Sequence, residues 1–194
     1  MNGRQRMHSK MTQDVEHNSS CVRIAPIVEE DLSRLFLHLA GDDADHASFL
    51  RGQQEAQGLY LVAWRRDVPV GHLYIRWAGS NEIPRIRDSN LVAATIADCP
   101  VLDQIWVYPN HRCQGIGSLL IRRAEEIVRE HGFSRACITV NVGNASARAL
   151  YERLGYRDPG IGEYHTTGTY VDDNGQEVPW DNGTQVCLVK RLDA

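Results

Sequence analysis

Apolar residues recur along this chain at two spacings, alternating and helical, and the switches between them mark out its elements. CVRIA (21–25) alternates and runs into Pro26, which predicts a first strand. Ile27, Leu32, Leu35, Phe36 and Leu39 then fall near helical spacing, and Gly41 ends the run. ADHASFLRGQQEAQG (44–58) reads as a second, weaker helix. LYLVAWRRDVPVGHLYIRW (59–77) is a pair of β-rich runs around the turn-like RRDVPVG, the pattern of a hairpin. Gly79, Asn81, Pro84, Asp88, Asn90 and Pro100 make residues 78–100 loop-like, and VLDQIWVYP is a strand closed by Pro109, since proline cannot continue an interior ladder.

Helical spacing returns at Leu119, Leu120, Ala124, Ile127 and Val128, with Arg122, Arg123, Glu125, Glu126 and Arg129 placed outside that face and His131-Gly132 as its stop. ACITV (136–140) reads as a buried strand, and NASARALYERLGY (144–156) as a helix stopped by Gly155. Two further strand-like runs, EYHTTGTYV (163–171) and TQVCLVKRL (184–192), flank DDNGQEVPWDNG, which reads as a loop. The order is strand, one or two helices, three strands, helix, strand, helix, two strands, which predicts a mixed α/β fold. Residues 1–20 read as a flexible polar tail and 21–194 as a single domain.

Composition narrows the partners. A net charge of −4 over 194 residues leaves no broad basic face, so nucleic acid is not expected. The start of the chain has no apolar core of a secretory signal, and no run approaches the ~20 residues that span a bilayer. No membrane association is expected, and a cytoplasmic location is. Five widely spaced cysteines without a Cys-x-x-Cys pair point to reduced thiols rather than disulfides or a metal knot, and no metal site is expected. Cys137 and Cys187 read as small core residues, and Cys113 as a loop residue.

The chemistry centres on RCQGIGS (112–118), between a strand and a helix. Glycines there let the main chain approach an anion at the positive end of a helix dipole, a geometry suited to pyrophosphate. A P-loop would need a lysine after its last glycine, and Gly117 is followed by Ser118. A dinucleotide fingerprint would need a third glycine and an acidic residue on the next strand, and neither is present.

Arg112, Gly115 and Gly117 match the Arg/Gln-x-x-Gly-x-Gly/Ala signature of the GNAT family of N-acetyltransferases, and LDQIWVYPNHR before them resembles that family's fourth strand. Asn144, Ala147, Leu150, Tyr151, Glu152, Gly155 and Tyr156 match its second signature at the right distance downstream. The chain therefore resembles a GNAT domain most strongly over 101–156. The resemblance implies a mixed, mostly antiparallel central sheet, flanked by helices and splayed after its fourth strand, with acetyl-CoA as co-substrate in the V. The backbone of Arg112, Cys113, Gln114, Gly115, Ile116, Gly117 and Ser118 would cradle the pyrophosphate. A fourth-strand bulge near Trp106 and Val107 would offer an N–H to the thioester oxygen, and Asn144 would bond the pantetheine arm.

Acetyl transfer to an amine needs a base, an oxyanion donor and an acid for the leaving thiolate. Tyr151 matches the family's acid tyrosine; from a free phenol at ~10 to a thiol at ~8.5 the donation is uphill by only about 2 kcal/mol. Asp103 stands where relatives often carry a glutamate and is the candidate base, with His72 and His165 as substitutes. The expected acceptor is a primary amine of a small molecule or a protein. Acidic residues at Asp42, Asp43, Asp45, Asp172, Asp173, Glu177 and Asp181 would suit a cationic one. A homodimer stays open. The other function class compatible with these residues is a non-catalytic acyl-CoA-binding module.

Overall fold

The computed structural model describes residues 21–38, 43–78, 97–171 and 175–192. Strands β1 (Val22–Pro26), β2 (Gly58–Arg65), β3 (Val68–Arg76), β4 (Val101–Val107), β5 (Arg135–Asn141), β6 (Glu163–Val171) and β7 (Glu177–Arg191) join in one sheet, ordered β1-β2-β3-β4-β5-β7-β6. The helices are α1 (Leu32–His38), α2 (Asp43–Gln54), α3 (Ile116–Glu130) and α4 (Ala145–Arg153). The expected mixed, mostly antiparallel sheet is observed: β4 and β5 alone run parallel, and every other pair of neighbours is antiparallel. The tail at 1–20, Gly41 and most of the 78–100 stretch lie outside the described residues.

Strand alternation sends side chains to opposite faces and so builds two cores. Leu61, Ala63, Leu73, Ile75 and Leu102 pack under Ile116, Leu120, Ala124 and Val128 of α3 and Tyr151 of α4. Tyr60, Val62, Trp64 and Tyr74 face the other way, onto Ile27, Leu35 and Leu50. Cys137 and Cys187 are buried in a third, smaller cluster with Cys99 and Tyr164, as small core residues should be.

Several sequence expectations are corrected. The first helix does not begin at Ile27. A short 3₁₀ turn (Glu29–Asp31) precedes it, held where the Asp31 carboxylate accepts the Val28 N–H at 3.2 Å, and Ile27 packs from the strand end. Leu119 is 46% exposed, whereas Glu125 is buried on the core side of α3. Glu125 goes there because Lys190 Nζ of β7 donates to both of its carboxylate oxygens, at 2.7 and 2.8 Å. The expected loop 172–183 is largely strand: β7 starts at Glu177 and pairs with β6 from Val171↔Glu177 onward. Pro179 is tolerated because β5 pairs only with residues 185–191 of β7, so the first half of β7 has β6 as its partner and leaves its other edge open.

The feature that positions a site is the parting of β4 and β5. They share a single register pair, Val101↔Cys137, supported by the Cys137 N–H donating to the Pro100 carbonyl at 2.9 Å. Beyond it β4 stays with β3 and β5 stays with β7, so the sheet opens into a cleft between the two strand ends.

The Glu125–Lys190 pair gives a direct test of this packing. Lys190→Ala leaves a buried carboxylate unpaired and is expected to cost about 3 kcal/mol in urea unfolding. The double change Glu125→Leu with Lys190→Met should recover most of that loss, because no charge is then stranded.

Candidate active site

β4 ends in a bulge. His72 pairs with Trp106 and Tyr74 with Asp103, so Gln104 and Ile105 stand together opposite Leu73, and Gln104 takes a φ of 50°. The irregularity therefore lies one to three residues before Trp106 and Val107, where it was expected. Gly71 permits the close strand approach at this point: a Cβ there would sit 2.7 Å from the Trp106 carbonyl oxygen.

After β4 the chain makes a 3₁₀ turn (Pro109–His111) and enters the glycine loop. Cys113 and Gly115 adopt left-handed φ values of 59° and 79°. Gly115 is the residue before α3, and no side chain caps that helix. The first N–H groups of α3 thus have no intrahelical acceptor and point out of the turn. No atom lies within 4 Å of where a Cβ would stand at Gly115, so that side of the loop is open to an approaching group. Arg112 is exposed but folds back on β4; its Nε donates to the Val107 carbonyl at 2.9 Å, and its guanidinium lies 4.7 Å over the Trp106 ring. Cys113 is exposed.

One residue of this loop's framework was missed from sequence. Arg65, at the end of β2, donates from Nη2 to Gln114 Oε1 at 2.7 Å and from Nη1 to His111 Nδ1 at 3.4 Å. Gln114 in turn donates to the Asn110 carbonyl at 3.3 Å. A guanidinium can only donate, so this contact fixes His111 with Nδ1 as the acceptor. Arg65 thus braces a left-handed loop from a strand that the motif does not include. Only its place at a hairpin end hinted at this, and no spacing rule links residue 65 to residue 114.

Across the cleft, Asn144 precedes α4 and its Oδ1 accepts the Ala147 N–H at 3.1 Å, leaving Nδ2 as the donor. Tyr151 is only 7% exposed. Burial, and then the nearby Asp103 carboxylate, push its phenol up to about 12. Asp103 itself accepts from Arg76 Nη2 at 2.9 Å through Oδ2 and from the Gln104 N–H at 2.8 Å through Oδ1. The structure therefore brings Tyr151, Asp103, the bulge and the open loop to one cleft. His165 is not among them; its Nε2 lies 2.9 Å from Asp181 within the β6–β7 hairpin. Of the acidic residues considered for a cationic acceptor, Asp42, Asp172 and Asp173 lie outside the described residues.

The site is thus a parted sheet in a mixed α/β fold, with an uncapped glycine loop on one wall and a buried tyrosine on the other. Comparison with known proteins supplies the family. The Acetyltransferase (GNAT) family profile matches residues 25–156, and the chain belongs to that family. It is 28% identical over 149 residues to the peptidyl-lysine N-acetyltransferase YjaB of Salmonella typhimurium, covering 67% of this chain and 92% of that one. Other curated relatives are matched over less of their length, 51% for one from Bacillus subtilis and 34% for a pig enzyme, so the chain spans well under two thirds of each. The fold is that of the ribosomal-protein-S18-alanine N-acetyltransferase of Escherichia coli (TM-score 0.57, 18% identity, 90% of this chain and 96% of that one). It is also that of the PaiA N-acetyltransferase of Thermoplasma acidophilum, solved with coenzyme A (TM-score 0.56, 15% identity, 88% and 99% covered). GNAT acetyltransferases use acetyl-CoA, and the open loop fits its pyrophosphate. Among the described residues no helix is long and apolar enough to cross a membrane.

If Arg65 holds the loop in its anion-binding shape, Arg65→Gln should raise the calorimetric Kd for CoA about 10-fold, the loss of a charge-assisted hydrogen bond. Binding of pantetheine, which lacks the pyrophosphate, should move by less than about twofold.

Proposed function

We propose that this protein is an acetyl-CoA-dependent N-acetyltransferase that acts on a primary amine by direct attack within a ternary complex. The observation that carries the reading is the meeting of Tyr151 from α4 and Asp103 from β4 at the cleft where β4 and β5 part. Acetyl-CoA supplies the activated acyl group and a thiolate leaving group. The loop from Arg112 to Ser118 offers backbone N–H groups to its phosphates, and Asn144 Nδ2 a donor to its arm.

The chain's own residues then divide the work. The bulge frees the Ile105 N–H from the β3 ladder, which makes it the donor for negative charge developing on the carbonyl oxygen. Tyr151 stays protonated at working pH and donates its O–H proton to the departing sulfur. Against a free thiol the transfer from a phenol at about 12 is uphill by about 5 kcal/mol. A sulfur anion beside Asp103 in the same buried cleft feels the same burial and the same charge, so its proton affinity rises too and the gap narrows. Each Asp103 oxygen already accepts one hydrogen bond and keeps a lone pair free, so the carboxylate draws the amine in and receives its proton directly or through water.

The names of the relatives put a lysine side-chain amine and an N-terminal alanine amine beside polyamines and aminosugars in the panel to be tried. The test is thiol release from acetyl-CoA with each amine. Turnover with at least one is expected. Tyr151→Phe should lower kcat about 100-fold, and Asp103→Asn about as much, with the Kd for acetyl-CoA within twofold of wild type. No alkaline loss of kcat from Tyr151 is expected below about pH 10, because its proton is lost only near the raised pKa. Tight acetyl-CoA binding without thiol release for any amine would favour an acyl-CoA-binding module instead.

A further inference from the structure

His72 of β3 sits on the sheet face covered by α1 and α2, directly across the ladder from Trp106 and beside the β4 bulge. It is only 8% exposed, yet its Nδ1 is shut off from solvent with no hydrogen-bond partner among the described residues. The hydroxyl of Tyr108, which follows β4, is stranded in the same way, and the two rings lie 6.2 Å apart. Each unmet polar group costs about 1–3 kcal/mol, so two as neighbours beside the β4 bulge call for a partner that the described residues do not supply.

The groups around the pair set what that ligand can be. His46 of α2 stands edge-on to His72 at 5.4 Å and hydrogen-bonds the Tyr60 hydroxyl through Nδ1 at 2.6 Å. Tyr60 is itself edge-on to His72, at 5.6 Å. Asp103, across the ladder from Tyr74, pairs with Arg76. Burial, and then His46, pull the His72 pKa down to about 3, while burial raises that of Tyr108. Neither side chain carries charge at ordinary pH, and together they offer both donor and acceptor capacity.

We infer that His72 and Tyr108 form an acceptor subsite that recognises an uncharged donor–acceptor group, an amide or a hydroxyl, next to the reacting amine. An alkylamine without such a group leaves both atoms unpaired, and a second charge finds no counter-charge in the pair. The inference rests on the cleft being the acyl-transfer site and names the kind of amine that site takes.

The test compares three acceptors of similar size at saturating acetyl-CoA: glycinamide, ethanolamine and propylamine, with kcat/KM corrected to the neutral amine. Glycinamide or ethanolamine should exceed propylamine about 10-fold, and whichever does so tells amide from hydroxyl. That ratio should collapse toward one in both His72→Phe and Tyr108→Phe and return in part with His72→Gln, with the acetyl-CoA Kd unmoved. Equal use of all three amines, a preference that survives both variants, or a common fall of all rates together with acetyl-CoA affinity would overturn the subsite. If no amine reacts, the enzymatic reading fails. The subsite is then judged alone by titrating the same compounds into the CoA complex and following the His72 ring proton signals. Shifts with glycinamide or ethanolamine but not propylamine support it, and no shift with either rejects it.

Discussion

A seven-stranded sheet that stayed fully paired would have no room for a ligand between its central strands. Here β4 and β5 are bonded at one register pair, Val101↔Cys137, and each then follows its outer neighbour. Every element of the proposed chemistry depends on that parting. The loop after β4 becomes one wall, α4 after β5 becomes the other, and the bulge takes Gln104 and Ile105 out of the β3 register. The parallel relation of β4 and β5 matters as well, because it puts both strand ends, and therefore the starts of both following segments, at the same end of the sheet.

The second constraint, among the described residues, is that the arginines around the cleft are already engaged. Arg76 holds Asp103, Arg112 is folded onto Trp106 and Val107, and Arg65 is spent on Gln114 and His111. These cations act as framework first, fixing the β4 end and the loop in conformations that glycine and left-handed residues alone would leave loose. Beside them, among the described residues, lies the aromatic cluster of His72, Tyr108, Tyr60 and His46. A site of this kind sorts acceptors by hydrogen bonding and shape more than by long-range attraction.

Much of the fold was legible in period alone. The β2–β3 hairpin, α3, β5 and α4 were read from alternation, helical spacing and stop residues, because each buries one face against a neighbour and so must repeat in that pattern. The misreadings have physical causes. Glu125 looks solvated in any helical projection, and only Lys190, sixty-five positions away in the chain, makes its burial tolerable. DDNGQEVPWDNG is rich in turn residues, yet its second half is held extended by β6, whose backbone supplies bonds that local preference could not foretell. Pro179 is tolerated there because, among the described residues, that part of β7 pairs only with β6.

The same division holds at the site. RCQGIGS and NASARALYERLGY, by their letters and spacing, were sufficient to point to the family, and the family profile over residues 25–156 agrees. The family follows from those letters and their order. The sequence had no means of showing that Arg65 braces the loop, that Arg76 occupies Asp103, or that His72 and Tyr108 are stranded side by side. Each of those depends on which residues of distant strands fall opposite one another, and strand register is decided by the packing of the whole sheet.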